Sequence, residues 1–125
     1  MCRKRFAWAN SWNNITTVIS KNPVFFDWLD GTKQAADGLE IPVAGGEQQH
    51  SIYAFRWLLA QDALDVVQPD HYYFRGMIRS LKVARMAETM GKKCISKLSG
   101  GFGFICVLHL VSVMSNAGDH IECGG

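Results

Sequence analysis

The stretch Ile41–Asp70, IPVAGGEQQHSIYAFRWLLAQDALDVVQPD, most narrows what this chain can fold into. Two short apolar runs, IPVA (Ile41–Ala44) and ALDVV (strand Leu64–Val67), each stop at a turn and then a carboxylate. The first ends in Gly45-Gly46 and Glu47; the second ends in Gln68-Pro69 and Asp70. Between them Ile52, Phe55, Leu58 and Leu59 recur at helical spacing, which predicts a helix over Ser51–Gln61. The order is strand, acid, helix, strand, acid. Strands joined through a helix run parallel. In a parallel α/β sheet, loops at the C-terminal edges of the strands hold ligands and chemistry.

The same rhythm continues downstream. His71-Tyr72-Tyr73-Phe74 is an aromatic loop, and Gly76 turns the chain into a helix over Met77–Met90. That helix is expected to bury Ile78, Leu81 and Ala84, with Val83 and Ala87 as further candidates, and Gly91 suits its C′ position. Cys94-Ile95-Ser96 is a third strand ending at Lys97. Phe104–Met114 is apolar nearly all round and reads as a buried helix containing His109. His120-Ile121-Glu122 is a last strand. Upstream, Asn22-Pro23 is a breaker pair, and Thr32–Leu39 is a short helix with Asp30 as a possible N-cap.

Charged residues thus close successive strands at positions 47, 70, 97 and 122, at intervals of 23, 27 and 25 residues. A (β/α)8 barrel uses roughly 30 residues per unit. An open doubly wound sheet has a similar rhythm, so spacing alone leaves both architectures open. No G-x-G-x-x-G or P-loop pattern is present. The Gly-rich GGFGF after Lys97 is either a flexible turn before a helix or an anion cradle.

Composition bounds the function classes. The chain has 125 residues, 48% hydrophobic and 19% charged, which describes one ordinary globular domain. A formal charge of +2, with basic residues scattered apart from Arg3-Lys4-Arg5 and Lys92-Lys93, argues against nucleic acid. The longest apolar stretch, Phe102–Met114, is well short of the ~20 residues that cross a bilayer, and no signal core follows the basic start. Cys2, Cys94, Cys106 and Cys123 form no C-x-x-C pair; Cys94 and Cys106 read as buried, reduced core residues. These features predict a cytoplasmic location.

IPVAGGEQ, ALDVVQPD, GMIRSLKVARMAE, the Ser-Gly-Gly loop and NAG before a final acid occur in order over Asn22–Gly125. Together they resemble the barrel domain of the mandelate racemase/muconate lactonizing enzyme family of the enolase superfamily, closest to its acid-sugar dehydratase-like branch. The resemblance implies an α/β fold, a partial (β/α)8 barrel covering strands 4–8. Residues 22–125 would be its C-terminal part, and residues 1–21 an irregular remnant of an earlier unit. It implies a small-molecule carboxylate or sugar acid as ligand. The implied chemistry is Mg2+-dependent removal of the proton α to a carboxylate, with the metal stabilising the enediolate. Glu47 matches the fifth-strand metal ligand. Asp70 matches the sixth-strand acid that orients a seventh-strand base, and Glu122 the eighth-strand acid that hydrogen-bonds the substrate.

The match has departures. The seventh-strand histidine is replaced by Lys97, which leaves Asp70 and Lys97 either as a base dyad or as a structural ion pair. Lys21-Asn22-Pro23 stands where a fourth-strand acid precedes proline, so Lys21 occupies a metal-ligand position and could pair with Glu47. Trp8-Ala9-Asn10 is a candidate remnant of the third-strand Asp motif, and Arg75 stands where the family places glycine. The expectation is therefore a truncated, weakly active or inactive relative of a sugar-acid lyase or isomerase. A part-barrel exposes strand edges and is expected to self-associate or need a partner chain. The alternative is a non-catalytic pseudoenzyme or fragment that binds a partner chain or sugar acid.

Overall fold

The computed structural model describes residues 19–98 and 101–123. Its elements are β1 (Ser20–Lys21), α1 (Leu29–Gly38), β2 (Val43–Gly45), α2 (Ile52–Ala60), β3 (Val66–Val67), α3 (Met77–Thr89), β4 (Lys93–Cys94), β5 (Lys97–Leu98), α4 (Gly103–Ser112) and β6 (Glu122–Cys123). Strands β1-β2-β3-β4 form one parallel sheet in chain order, and β5 pairs parallel with β6. Bridges from Asp70 to Lys97 and from Cys94 to Ala117 carry the same parallel pairing between the two groups. Helices α1, α2, α3 and α4 each connect successive parallel pairs. This is the expected α/β arc of strand–helix units.

Alternation along the strands builds two cores. Val43, Val67 and Cys94 face the helices and pack with Phe55, Leu58, Leu59, Phe74, Val83 and Leu110. The neighbouring residues Ala44, Val66 and Ile95 form a smaller cluster on the other face, with Ile19 against it. Strands buried on both faces read as continuous apolar runs, which is why IPVA and ALDVV lack polar alternation. Burial pushes the Cys94 thiol up to about 12, so it stays protonated as a free core residue. Cys106, expected to be buried, is only half covered.

Helix ends follow local chemistry. Ser51 caps α2 by accepting from the Tyr53 N–H at 3.3 Å. Gly91, at φ +66°, takes the left-handed position after α3. Helix α1 begins earlier than expected, with Trp28 rather than Asp30 at its N-cap; Asp30 lies in its first turn. At the N-terminal ends of the strands, Asp65 accepts from the Val43 N–H at 2.8 Å and pairs with Lys92 at 3.2 Å; Lys92 also pairs with Asp62. Asn116 donates to the Ala84 and Lys92 carbonyls, both at 2.9 Å, and ties the end of α3 to the turn before β6.

Three packing expectations are corrected. Ile78 is 75% exposed; the buried stripe of α3 is Ser80, Val83, Ala84 and Ala87, spaced i, i+3, i+4, i+7. Helix α4 buries Gly103, Val107 and Leu110, while Phe104, Ile105 and Leu108 stay exposed, so an apolar composition all round does not mean burial all round. His109 is exposed on that helix and is not a core residue. Registered strand pairing starts at Val43 and Val66, inside the apolar runs, although Pro42 O already accepts from the Ser20 N–H at 2.9 Å and the Asp65 N–H donates to Val43 O at 2.8 Å. No helix among the described residues is long and apolar enough to cross a membrane.

Arg75 sits at φ +62°, a left-handed conformation that disfavours side chains with a Cβ. Arg75→Gly should stabilise the fold by about 0.5–1 kcal/mol, the difference between relieved strain and glycine's extra unfolded-state entropy. A rise in the urea midpoint with an unchanged slope would confirm it.

Candidate active site

The C-terminal ends of the strands gather the charged residues that the sequence singles out. Lys21 closes β1 and Lys97 opens β5. Between them Gly45-Gly46 carries the chain out of β2 into Glu47. Gly46 has φ +102°, and any Cβ there would land on the Phe55 ring. Glycine is thus required on both counts, and it sets where Glu47 emerges.

Glu47 Oε2 lies 2.8 Å from Lys21 Nζ and 3.1 Å from Lys97 Nζ. The Glu47 side chain is 14% exposed, against 34% for Lys21 and 28% for Lys97. Glu47 is the most sheltered of the three side chains. Burial acts to raise the Glu47 pKa, but contact with Lys21 and Lys97 outweighs it and holds the carboxyl below its ordinary value of 4.5. A depressed folded pKa stabilises above the unfolded value, and the contribution disappears as pH falls through the folded value. Wild type should therefore lose more stability below pH 4.5 than Lys21→Met does. Urea midpoints of both proteins across the acid range would measure the difference.

Asp70 is 1% exposed at the end of β3. Its Oδ1 accepts from the Tyr72 N–H at 2.8 Å and the Tyr73 N–H at 3.2 Å, so it shapes the aromatic loop as well as facing the next strand. Backbone register places Asp70 opposite Lys97, and Lys97 opposite Glu122. Backbone pairing thus puts positions 70, 97 and 122 in one row. Trp8-Ala9-Asn10 and the rest of residues 1–18 lie outside the described residues, as do Ser99 and Gly100 of the Gly-rich loop.

One residue that spacing did not single out is His71. It is 6% exposed, neither ring nitrogen has a hydrogen-bond partner, and its ring lies 4.2 Å from that of Tyr72. Exposed Tyr72 and Tyr73 flank the mouth, whereas Phe74 is core. A run of four aromatic rings hides which of them is buried, so no sequence signal separated His71 from its neighbours.

Parallel strands alternating with helices, and charged side chains collected at their C-terminal ends, define part of a (β/α)-barrel with its mouth. The chain belongs to the enolase C-terminal domain-like family, whose pattern matches residues 7–124. It is 31% identical over 97 residues to the arabinonate dehydratase of Saccharolobus solfataricus, covering 77% of this chain and 26% of that protein. It is 30% identical over 96 residues to the D-galactarolactone cycloisomerase of Agrobacterium fabrum, covering 76% of this chain and 25% of that one. A solved structure of an enolase-superfamily member from Salmonella Typhimurium superposes with a TM-score of 0.77 at 27% identity, over 85% of this chain and 27% of that one. The chain spans about a quarter of the length of these relatives.

Members of this superfamily typically use Mg2+. Among the described residues, no group of three or more His, Cys, Asp or Glu side chains could hold a metal ion. Glu47, which the resemblance would make a ligand, touches two ammonium groups through one oxygen. Like unit charges about 4 Å apart repel by about 4 kcal/mol at an effective dielectric of about 20, and a divalent ion doubles that. Solvent at the partly exposed Lys21 lowers the figure without changing its sign. The donor set described here does not fit Mg2+, which wants several hard oxygens in near-octahedral array.

Proposed function

We propose that this chain forms the C-terminal part of the barrel of an acid-sugar dehydratase- or racemase-like protein, and that it removes the proton α to a carboxylate slowly. The observation that carries the reading is the Glu47–Lys97 contact beside Asp70, at the strand ends where this family works. Lys97 is the proposed base. To act, its Nζ leaves Glu47, gives up a proton to solvent water, and takes the α-proton to become an ammonium again; the electron pair of the broken C–H bond moves into the substrate carboxylate as an enediolate. Asp70, held by two backbone N–H groups, is the positioning residue for Lys97. Glu122, next to Lys97 in register, is the proposed hydrogen-bond partner of the substrate carboxylate or its oxyanion. Re-protonation on either face gives epimerisation; alternatively the Lys97 ammonium returns its proton to the departing β-hydroxyl, which leaves as water, and the resulting enol tautomerises to a 2-keto-3-deoxy product.

No step passes through a metal, so enediolate stabilisation rests on lysine charge alone, and a rate far below that of a metal-assisted enzyme is expected. The names of the relatives support sugar acids as the substrate class. Screening a library of aldonic and aldaric acids for the 2-keto-3-deoxy acid by mass spectrometry tests the reading. Turnover of at least one member, reduced in Asp70→Asn, is the expected outcome. Release of no dehydrated or epimerised product from any member would count against it.

A further inference from the structure

We infer that the outer layer of helices is a two-fold interface with a second copy of this chain, in which α1 of each copy meets α3 of the other. Strands β1-β2-β3-β4 run in chain order and each helix crosses between neighbours, so α1, α2 and α3 lie side by side, with α2 touching both flanks. Basic residues that look scattered in the sequence collect on one flank. Arg75, Arg79, Lys82 and Arg85 recur at spacings of three and four around Ile78, which is 75% exposed. Four cations and one acid, Glu88, give residues 75–90 a charge of +3. The other flank has the opposite sign. Asp27, Asp30, Asp37 and Glu40 are exposed, and with Lys33, which pairs with Asp37, four acids and one cation give residues 27–40 a charge of −3. Between the flanks α2 adds Arg56, and Asp62 beyond its end pairs with Lys92.

One chain thus carries both halves of a complementary pair, held apart by α2. A two-fold axis running along the helices sets α1 of one copy against α3 of the other, twice; an axis running across them would set α1 against α1, acid on acid. The charge pattern selects the first. Helix α2 then faces itself at the axis, where Arg56 of each copy can lie on the exposed Tyr53 ring of the other, one turn away. Flanking side chains are ordered in advance, which lowers the cost of association. Trp28, half exposed, lies across Gly31, where a Cβ would meet its ring, and Arg79 is held by the His50 carbonyl at 3.1 Å and the Phe74 ring at 4.7 Å. Three adjacent helices, the longest 13 residues, present a face about 20 Å by 30 Å, of the order of the 800 Å² per partner that a stable interface buries.

Sedimentation velocity of the whole chain tests this. Wild type should dimerise with a roughly micromolar dissociation constant. The dimer should weaken as salt rises from about 0.01 to 1 M, which shortens the Debye length from about 30 to 3 Å. Lys82→Glu with Arg85→Glu, and separately Asp30→Lys with Glu40→Lys, should each weaken self-association at least about tenfold. Mixed in equal amounts, the two variants should form a heterodimer with close to the wild-type constant, because both reversed contacts then become attractive. Circular dichroism melts identify a double variant that fails to fold; the wild-type salt series and the single substitutions Lys82→Glu and Glu40→Lys then decide the matter. A wild-type monomer throughout, or a dimer indifferent to salt, would overturn the proposal. Folded variants that associate as wild type does would overturn it too, and would place association on the exposed Phe104, Ile105 and Leu108 of α4 or on the strand edges. Folded variants that are weakened but do not pair when mixed would also overturn it.

Discussion

Phe55→Ala is expected to destabilise the chain by about 3–5 kcal/mol, a large share of the roughly 5–15 kcal/mol that holds a typical domain together. Phe55 is fully buried on α2 and meets Phe74 edge-on, with ring centroids 5.3 Å apart. Phe74 in turn lies 4.7 Å beneath the Arg79 guanidinium, so one ring links α2, the aromatic loop and α3. The cavity left by truncation could not collapse onto Gly46 without moving the backbone that leads into Glu47. Chemical denaturation should show a much lower midpoint at an unchanged slope. The same variant should also slow turnover of a sugar acid, since its cavity lies under the loop that leads to Glu47. A loss below about 1 kcal/mol would show that the α2–loop packing described here is not what holds the mouth.

The second large effect falls on chemistry. Lys97→Met should reduce α-proton exchange of a bound sugar acid roughly 10²–10⁴-fold, the usual contribution of a positioned base. Removal of the base and removal of an anion contact are separable. If Lys97 only binds, saturating substrate should restore the exchange rate; if it takes the proton, the maximal rate should fall. Asp70→Asn should slow exchange less than Lys97→Met, because Asp70 acts through Lys97. It should also perturb the loop whose Tyr72 and Tyr73 N–H groups it accepts.

Much of the strand-end chemistry was legible because it is local in sequence. Gly45-Gly46-Glu47 and Gln68-Pro69-Asp70 each put a turn and an acid directly after an apolar run, and the structure places both at strand C-terminal ends. The resemblance, by putting Lys21 at a fourth-strand metal-ligand position beside the strand that ends in Glu47, made the Lys21–Glu47 pair foreseeable. The pairing of Lys97 with Glu47 was not foreseeable. Lys97 and Asp70 are neighbours in register, but a lysine side chain spans several ångströms, and which acid it reaches is decided by the path of the Gly46 turn. Helix faces were read less well. Ile78 and Phe104 match apolar periodicity, yet burial depends on which stripe packs inward; Ala84, Val83 and Ala87 were read as buried and are, while the small residues Ser80 and Gly103 beside them were not. Close packing of a helix on a parallel sheet favours small side chains that composition-based reasoning discounts.

The central claim is that this barrel mouth performs its chemistry on a sugar acid through Lys97 and without Mg2+. Proton NMR of D-galactonate and related acids incubated with the chain in D2O, with EDTA or with MgCl2, tests it most directly. The account predicts slow loss of the α-proton signal at the same rate under both conditions, and its disappearance in Lys97→Met. Exchange that appears only with MgCl2, exchange that persists in Lys97→Met, or no exchange with any sugar acid would contradict it.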